Sequence, residues 1–187
     1  MLKHFEEFGE YVEITGFSSV QIEDAEGFLK ATRREQQETA VQFFNAEFVA
    51  TWQHLYFAVL NALTAFRNKS NISKNIAVEA MLYASAQRQI RKAITLVGVK
   101  RDSANVAVVI IGENAGAVRT VLAAVAKRIG SEPNETVLAL SNDKVQSIRK
   151  AFDISEREVE TVMKAGDAEQ ALVNLVIERM ALLSTQL

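Results

Sequence analysis

The sequence contains no cysteine, a single proline and only two histidines. Without cysteine the chain can have no disulfide framework, no thiol nucleophile and no metal site with thiolate ligands. No apolar run is longer than residues 106–111, whereas a membrane span needs about 20 apolar residues, so we expect no contact with a membrane. The start of the sequence also lacks the apolar core of a signal peptide, which predicts a cytoplasmic protein.

The two histidines give little support for catalysis. His4 lies near the start of the chain, where a frayed segment is expected. His54 lies in the first turn of a predicted amphipathic helix, where a partly exposed structural role is expected. Carboxylate pairs such as Glu156 and Glu160 fall on polar helix faces, and a triad or a zinc site needs more than this. We therefore predict no catalytic residue, no cofactor and no metal, and we expect that the protein is not an enzyme.

Charge is unevenly distributed along the chain, although the formal net charge is only −2. Residues 1–66 hold four Lys or Arg against ten Asp or Glu, and residues 102–187 hold nine against twelve. Residues 67–101 are the reverse, with eight basic residues and one acidic residue. A basic segment within an otherwise acidic chain can guide a polyanion to one place.

The apolar pattern predicts an α/β fold with one small mixed sheet of about four strands, several helices packed on it and a helical C-terminal part. Residues 10–17 alternate polar and apolar side chains, and residues 105–112 carry the continuous apolar run of a strand covered on both faces. Further strands are predicted at residues 41–49 and 136–140. Because no repeat or linker is evident, the 187 residues are expected to form one domain.

Helices are predicted between and after these strands. The polar segment of residues 24–37 is typical of a surface helix, and Thr51 should open an amphipathic helix that runs to Phe66. Asn114 should cap a helix that ends near Ile129. A later helix is predicted from Ser141 onward, and two capping-box patterns predict the last two helices after Ser155 and Asp167.

Residues 76–84 form the most apolar predicted helix, with Glu79 as its single charge. A helix that is apolar nearly all the way round is buried. Burying an unpaired carboxylate is costly, so Glu79 should pair with a cation or an amide and fix how this helix meets the next one.

The helix predicted next turns basic within one turn. Arg88, Arg91 and Lys92 fall at i, i+3 and i+4, which predicts one basic face above a stripe of Ile90 and Ile94. Lysines before the buried helix join this face, and short polar side chains around it suit the sugar and base edges of single-stranded RNA. The predicted RNA-binding residues are Lys69, Asn71, Ser73, Lys74, Ser85, Arg88, Gln89, Arg91 and Lys92. The alternative on these residues alone is a solvated helix face without a ligand.

A phosphate-binding turn is a different possibility at residues 112–116, where a predicted strand passes through Gly-Glu-Asn-Ala-Gly into a helix. Glycine permits close approach, and a helix start offers N–H groups to a phosphate. The turn lacks both the GxGxxG pattern and the Gly-Lys-Ser/Thr of a P-loop. A small nucleotide-binding or hydrolytic domain is therefore an alternative, against a simple turn capped by Asn114.

Three short motifs stand at characteristic spacings in the central segment. They are Asn-Ile-Ser-Lys-Asn at residues 71–75, Tyr-Ala-Ser at 83–85 and Arg-Gln-Ile at 88–90. Together they resemble the signature of the small non-catalytic, kinase-binding subunit of the KEOPS complex, and the resemblance is specific over residues 71–112. The sequence departs from the family at Ala86 and Gln87, where a Gly or Ser often stands between two helices.

The resemblance implies a regulatory subunit. Such a subunit binds the atypical kinase subunit of the KEOPS complex, raises its activity and helps to present tRNA for threonylcarbamoyl modification of an adenosine in the anticodon loop. The basic face would then hold tRNA, and the single-stranded 3′ acceptor end is the expected contact. A purely structural adaptor, whose basic face meets an acidic protein, is the remaining alternative.

The last predicted helix, residues 167–187, has more apolar surface than one core covers. Its apolar arc spans roughly 220°, where a helix lying on a single core needs about 100° or somewhat more. Either another helix of the same chain covers the excess or a partner protein does. The predicted partner-binding residues are Leu172, Leu175, Arg179 and Leu182, with Arg179 as a hot-spot candidate.

Overall fold

A four-stranded antiparallel sheet lies at the centre of the structure. The computed structural model describes residues 1–21, Gly27 and residues 39–185. The strands are β1 (Leu2–Phe5), β2 (Glu10–Phe17), β3 (Thr39–Asn45) and β4 (Val106–Gly112), in the order β1-β2-β4-β3. The predicted single sheet with helices is confirmed. All three strand pairings are antiparallel, so the sheet is not mixed as the sequence suggested.

Strand β4 lies between β2 and β3 and is buried along its whole length. Its side chains point alternately into two cores. Val109 packs in the core that contains Ile14, and Val108 packs in the core that contains Phe43. Because both faces are covered, the strand has a continuous apolar run instead of an alternating pattern.

Seven α-helices are found in the described residues. They are α1 (Trp52–Arg67), α2 (Ile76–Ala84), α3 (Ile90–Val97), α4 (Ala115–Ile129), α5 (Asn142–Ala151), α6 (Glu156–Val162) and α7 (Ala168–Ala181). Helix α4 covers one face of the sheet, and α1 and α2 cover the other. Helices α5 and α7 build a third core cluster beside α1. Within the described part of the chain, no helix is long and apolar enough to cross a membrane.

Most of the predicted helix starts are confirmed by side-chain caps. The oxygen of a capping side chain accepts a first-turn backbone N–H at Asn114, Ser141, Ser155 and Asp167. Thr51 is the exception. It precedes α1 as predicted but has a φ of 88°, and its side chain accepts no backbone N–H of the helix; its hydroxyl donates instead to the side-chain oxygen of Gln53 at 2.9 Å.

The fourth strand is β1 and not the segment predicted at residues 136–140. His4 lies within β1, where its ring stacks on that of Tyr11 with 4.2 Å between centroids, so this terminus is not frayed. The predicted strand is a short 3₁₀ helix, Glu135–Leu138. The side chain of Asn134 accepts the N–H of Thr136 and turns the chain into it.

Strand β3 ends four residues earlier than predicted. The side chain of Asn45 accepts the N–H of Glu47 at 3.1 Å and starts a 3₁₀ turn, Ala46–Phe48, inside the predicted segment of residues 41–49. The surface helix predicted at residues 24–37 lies outside the described residues, apart from Gly27.

Candidate functional site

Six of the predicted RNA-binding residues are exposed. They are Lys69, Lys74, Arg88, Gln89, Arg91 and Lys92. Among the residues that the structure describes, Lys69, Lys74, Arg91 and Lys92 make no ion pair with an acidic side chain. Their charge is therefore available to an anionic ligand.

These cations form two groups instead of one helical face. Lys69 and Lys74 precede α2, whereas Arg91 and Lys92 follow it in the first turn of α3. Helix α2 has nine residues. At 1.5 Å per residue this helix is about 13 Å long, and it lies between the two groups in the chain.

Arg88 lies in the turn between α2 and α3. Because α3 begins at Ile90, the prediction of three cations on one helix is wrong for Arg88. Its Nη1 lies 3.5 Å from the backbone carbonyl oxygen of Leu183 and donates to it. The guanidinium therefore links the turn to the segment that follows α7.

The start of α3 lacks both a side-chain cap and negative charge. Gln89 occupies the N-cap position without a side-chain bond, and the first turn contains Arg91 and Lys92 but no acidic residue. The partial positive charge of a helix start adds to the charge of these two side chains. Positive charge at a helix start destabilises the isolated helix, and it favours the binding of an anion there.

The apolar stripe predicted beneath the cations is exposed. Ile90 and Ile94 are 43% and 50% exposed, and the buried side chains of α3 are Ala93 and Val97 on the neighbouring row. Two large apolar side chains thus stand on the surface beside Arg91.

Three of the predicted RNA-binding residues use their polar groups inside the protein. The buried Ser85 hydroxyl donates to the carbonyl oxygen of Leu82 at 3.0 Å. The Asn71 side-chain amide donates to the carbonyl oxygen of Ser73 at 2.9 Å, and the Ser73 hydroxyl accepts the N–H of Asn75 at 3.1 Å. Ser73 and Ser85 are buried, which corrects the prediction that their hydroxyls are offered to RNA, whereas the half-buried Asn71 stays a predicted contact.

Glu79 is fully buried and is paired with backbone amides of the preceding loop. Its Oε2 accepts the N–H of Ser73 at 2.7 Å, and both of its oxygens lie 3.1 Å from the backbone nitrogen of Ile72. The prediction of a cation or amide partner is confirmed as an amide. The contact fixes the loop of residues 71–75 against α2, and not the junction between two helices.

The turn at residues 112–116 is poorly suited to a phosphate. Asn114 Oδ1 already accepts the N–H groups of Gly116 and Ala117 at 2.7 and 3.2 Å. The cavity beside this turn is lined by the carboxyl groups of Glu10 and Glu113, and burial followed by the charge of Glu113 raises the pKa of Glu10. Two acidic groups and a capped helix start favour the reading of a simple turn over a nucleotide site.

His54 is fully buried, which corrects the expectation of a partly exposed side chain. Its Nδ1 accepts the N–H of Ala50 at 3.1 Å, so the proton is on Nε2, which donates to the carbonyl oxygen of Ala84 at 2.8 Å. Burial lowers the pKa of His54 to about 4. With both ring nitrogens occupied, the imidazole joins the start of α1 to the end of α2. No group of three or more His, Asp or Glu side chains in the described ranges could hold a metal ion.

Two of the predicted partner-binding leucines belong to the chain's own core. Leu172 and Leu175 are 1% and 4% exposed, because helices α1, α2, α5 and α6 all contact α7. The large apolar arc is thus covered by other helices of the same chain. The prediction that Leu172 and Leu175 meet a partner is corrected on this ground.

Arg179 and Leu182 remain accessible. Arg179 Nη2 lies 2.5 Å from Glu158 Oε1, and Leu182, just after α7, is 43% exposed. The N–H and hydroxyl of Ser155, and then Arg179, lower the pKa of Glu158 to about 2. Arg179 is therefore held by an ion pair at the groove between α6 and α7, and both residues stay predicted partner contacts.

The comparisons with known proteins agree with the resemblance found in residues 71–112. The family described as kinase binding protein CGI-121 matches residues 17–184. The chain belongs to this family. It is also similar to the regulatory protein Cgi121 of Methanocaldococcus jannaschii, with 34% identity over 113 residues that cover 60% of this chain and 70% of the relative. The family is thus described as kinase-binding and the relative as regulatory.

Sequence reasoning missed the exposure of Ile72, Ile90 and Ile94 and the contact between Glu79 and the loop. The signal for Glu79 was present, since it is the single charge of an apolar helix. The exposure of Ile90 and Ile94 depends on which row of α3 packs inward, and an eight-residue helix leaves this open. Ile72 lies in the loop before α2, where no helical pattern could indicate its exposure.

Proposed function

We propose that this chain is a non-catalytic regulatory subunit of the KEOPS complex, which carries out the threonylcarbamoyladenosine modification of tRNA. In this proposal it binds the atypical kinase of the complex and raises its activity, and it holds tRNA for the modification. The match to a kinase-binding family and the similarity to a regulatory protein support the first part. The occupied ring nitrogens of His54 support a role without catalysis.

The observation that carries the RNA-binding part is the set of exposed cations before α2 and at the start of α3 that make no ion pair with a described residue. Arg91 and Lys92 stand at an uncapped helix start, where a phosphate oxygen is favoured. Lys69 and Lys74 precede α2, a helix about 13 Å long that separates the two groups in the chain. A flexible single strand can reach both groups, which supports contact with the 3′ acceptor end of tRNA.

A salt series tests this proposal. The variant Arg91→Glu, Lys92→Glu should bind whole tRNA more weakly than the wild type. The slope of log affinity against log salt should fall by roughly 0.7 to 0.9 for each lost phosphate contact. The matched control is Lys127→Glu, Lys164→Glu, which makes the same change in net charge at exposed positions on α4 and after α6. If both variants bind with the same affinity and slope, only overall charge matters and the surface is not a binding site.

Two further binding experiments test the acceptor end as the contact and the structural adaptor as the alternative. Binding that is unchanged when the 3′ tail of the tRNA is removed would reject the acceptor end as the contact. No binding to RNA, together with tight binding to an acidic protein, would select the structural adaptor. The exposed Ile90 and Ile94 beside Arg91 are the observation that favours this alternative.

The kinase part is tested with purified components. The chain should bind the kinase subunit and raise its rate of ATP hydrolysis, while the chain alone should show no turnover. Saturable ATP hydrolysis by the chain alone, abolished by a bulky residue at Gly116, would contradict the proposed role.

A further inference from the structure

The loop of residues 71–75 is held in place by the buried carboxylate of Glu79. Glu79 is fully buried, and its Oε2 accepts the N–H of Ser73 at 2.7 Å. The backbone nitrogen of Ile72 lies 3.1 Å from each of the two carboxylate oxygens. A charged carboxylate in this position must keep its partners, because losing them would leave a buried charge unsatisfied. The backbone at Ile72 and Ser73 is therefore fixed from inside the protein.

The polar side chains of the loop fix its remaining backbone. The Asn71 side-chain amide donates to the Ser73 carbonyl oxygen at 2.9 Å, and the Ser73 hydroxyl accepts the N–H of Asn75 at 3.1 Å. Asn75 Oδ1 then accepts the N–H groups of Ala77 and Val78 at 2.9 and 3.2 Å and caps α2. The loop is thus ordered at both ends before any ligand arrives.

This ordered loop displays one apolar side chain among cations. Ile72 is 41% exposed although it is a large apolar residue, and Lys69 and Lys74 on either side of it in sequence are exposed and without ion pairs to described residues. A nucleotide has the matching chemistry, since its phosphates attract ammonium groups and its base or sugar presents an apolar face. An unstacked nucleotide of a single strand can offer both at once.

We propose that residues 71–75 form a preordered nucleotide-contact element in which Ile72 packs on a base or sugar, Lys74 meets a phosphate and Glu79 acts as a positioning residue. The inference rests on the proposed binding of RNA by this chain. A loop that is already ordered does not have to be fixed when RNA binds, so Glu79 strengthens binding without touching the RNA.

The test compares three variants with the wild type by tRNA affinity, salt slope and amide hydrogen exchange. Glu79→Gln keeps the side-chain shape but places an NH₂ group where an oxygen accepted an N–H. Exchange at Ile72 and Ser73 should rise, and affinity should fall by about tenfold, which corresponds to ordering one residue of backbone. The salt slope should stay unchanged, because the cations are all retained.

The other two variants separate charge from shape. Lys74→Gln should lower the salt slope by roughly 0.7 to 0.9 without altering exchange. Ile72→Ser should weaken binding with neither change, whereas the matched surface control Val162→Ser, at a position 37% exposed on α6, should bind as the wild type does.

The outcomes distinguish this inference from the proposed function. If the wild type binds tRNA and Lys74→Gln binds less tightly, but both Glu79→Gln and Ile72→Ser bind normally, the loop element is refuted and RNA binding by the chain stands. Unchanged exchange in Glu79→Gln would refute the positioning role. No salt-dependent binding by the wild type would overturn both proposals. Should Glu79→Gln fail to fold, the comparison of Ile72→Ser with Val162→Ser still decides whether the loop meets RNA.

Discussion

Lowering the pH from 7 to 4 should destabilise this protein through one buried side chain, His54. Its ring is fully buried, lies edge-on to Phe152 with 5.6 Å between centroids, and has backbone partners on both nitrogens. Burial lowers its pKa from 6.5 to about 4. The neutral ring fits this site, because Nδ1 must accept a hydrogen bond from Ala50 and cannot do so once it is protonated.

The direction of the effect follows from where the proton binds more tightly. The unfolded chain binds it with the ordinary pKa near 6.5, and the folded protein binds it only near 4. The contribution of His54 to stability is therefore complete above about pH 6.5 and is lost as the pH falls toward 4. The free energy of unfolding should drop by about 2 kcal/mol between pH 7 and 5, and by about 3 kcal/mol at pH 4.

The assay is urea unfolding at several pH values for the wild type and for His54→Gln. Glutamine keeps a donor for the Ala84 carbonyl oxygen but does not titrate, so the variant should lose much less stability between pH 7 and 5. Carboxyl groups titrate in both proteins and cancel in the difference. Equal pH dependence in the two proteins, or a native-state His54 signal that titrates near pH 6.5 by NMR, would refute the reasoning.

Five further substitutions test how the fold is built, each by thermal or urea unfolding. Ala86 has a φ of 51°, so Ala86→Gly should stabilise by about 0.5–1 kcal/mol, whereas Ala84→Gly at the last residue of α2 should destabilise by about 0.5–1 kcal/mol. Leu175→Ser should lower the free energy of unfolding by about 2–5 kcal/mol, because it leaves a cavity and a hydroxyl at a buried site. Leu182 is exposed, so Leu182→Ser should change this free energy by no more than about 0.5 kcal/mol. The same substitution should weaken kinase binding if Leu182 is a partner contact. Lys69 has a φ of 57°, so Lys69→Gly should not destabilise the fold, yet it should weaken tRNA binding.

Sequence patterns predicted those parts of the fold that local chemistry decides. Strand β2 and helix α2 have the predicted limits because an alternating pattern and an uninterrupted apolar run each fit one structure. The cap at Asn114 is likewise a local signal. Strand β1 was missed because four residues carry little pattern, and its pairing with β2 depends on a turn that brings the two together.

The positive charge of the candidate site could be predicted from the sequence, but the positions of its side chains could not. The excess of cations in residues 67–101 follows from composition alone. Whether Arg88 belongs to α3, and whether Ile90 faces inward, depends on where the helix starts, and one residue of shift turns a helical side chain by about 100°. The outcome was an exposed Ile90 and an Arg88 in the preceding turn.

A sequence motif can describe how a loop is built rather than what the loop touches. In residues 71–75 the side chains of Asn71, Ser73 and Asn75 all bond to the loop or to the start of α2. The side chains of the loop that remain exposed to a ligand are those of Ile72 and Lys74. The polar side chains of this motif hold the backbone of the loop in one conformation. The apolar and the charged side chains project from that backbone, and they are the ones to which contacts with RNA should be assigned.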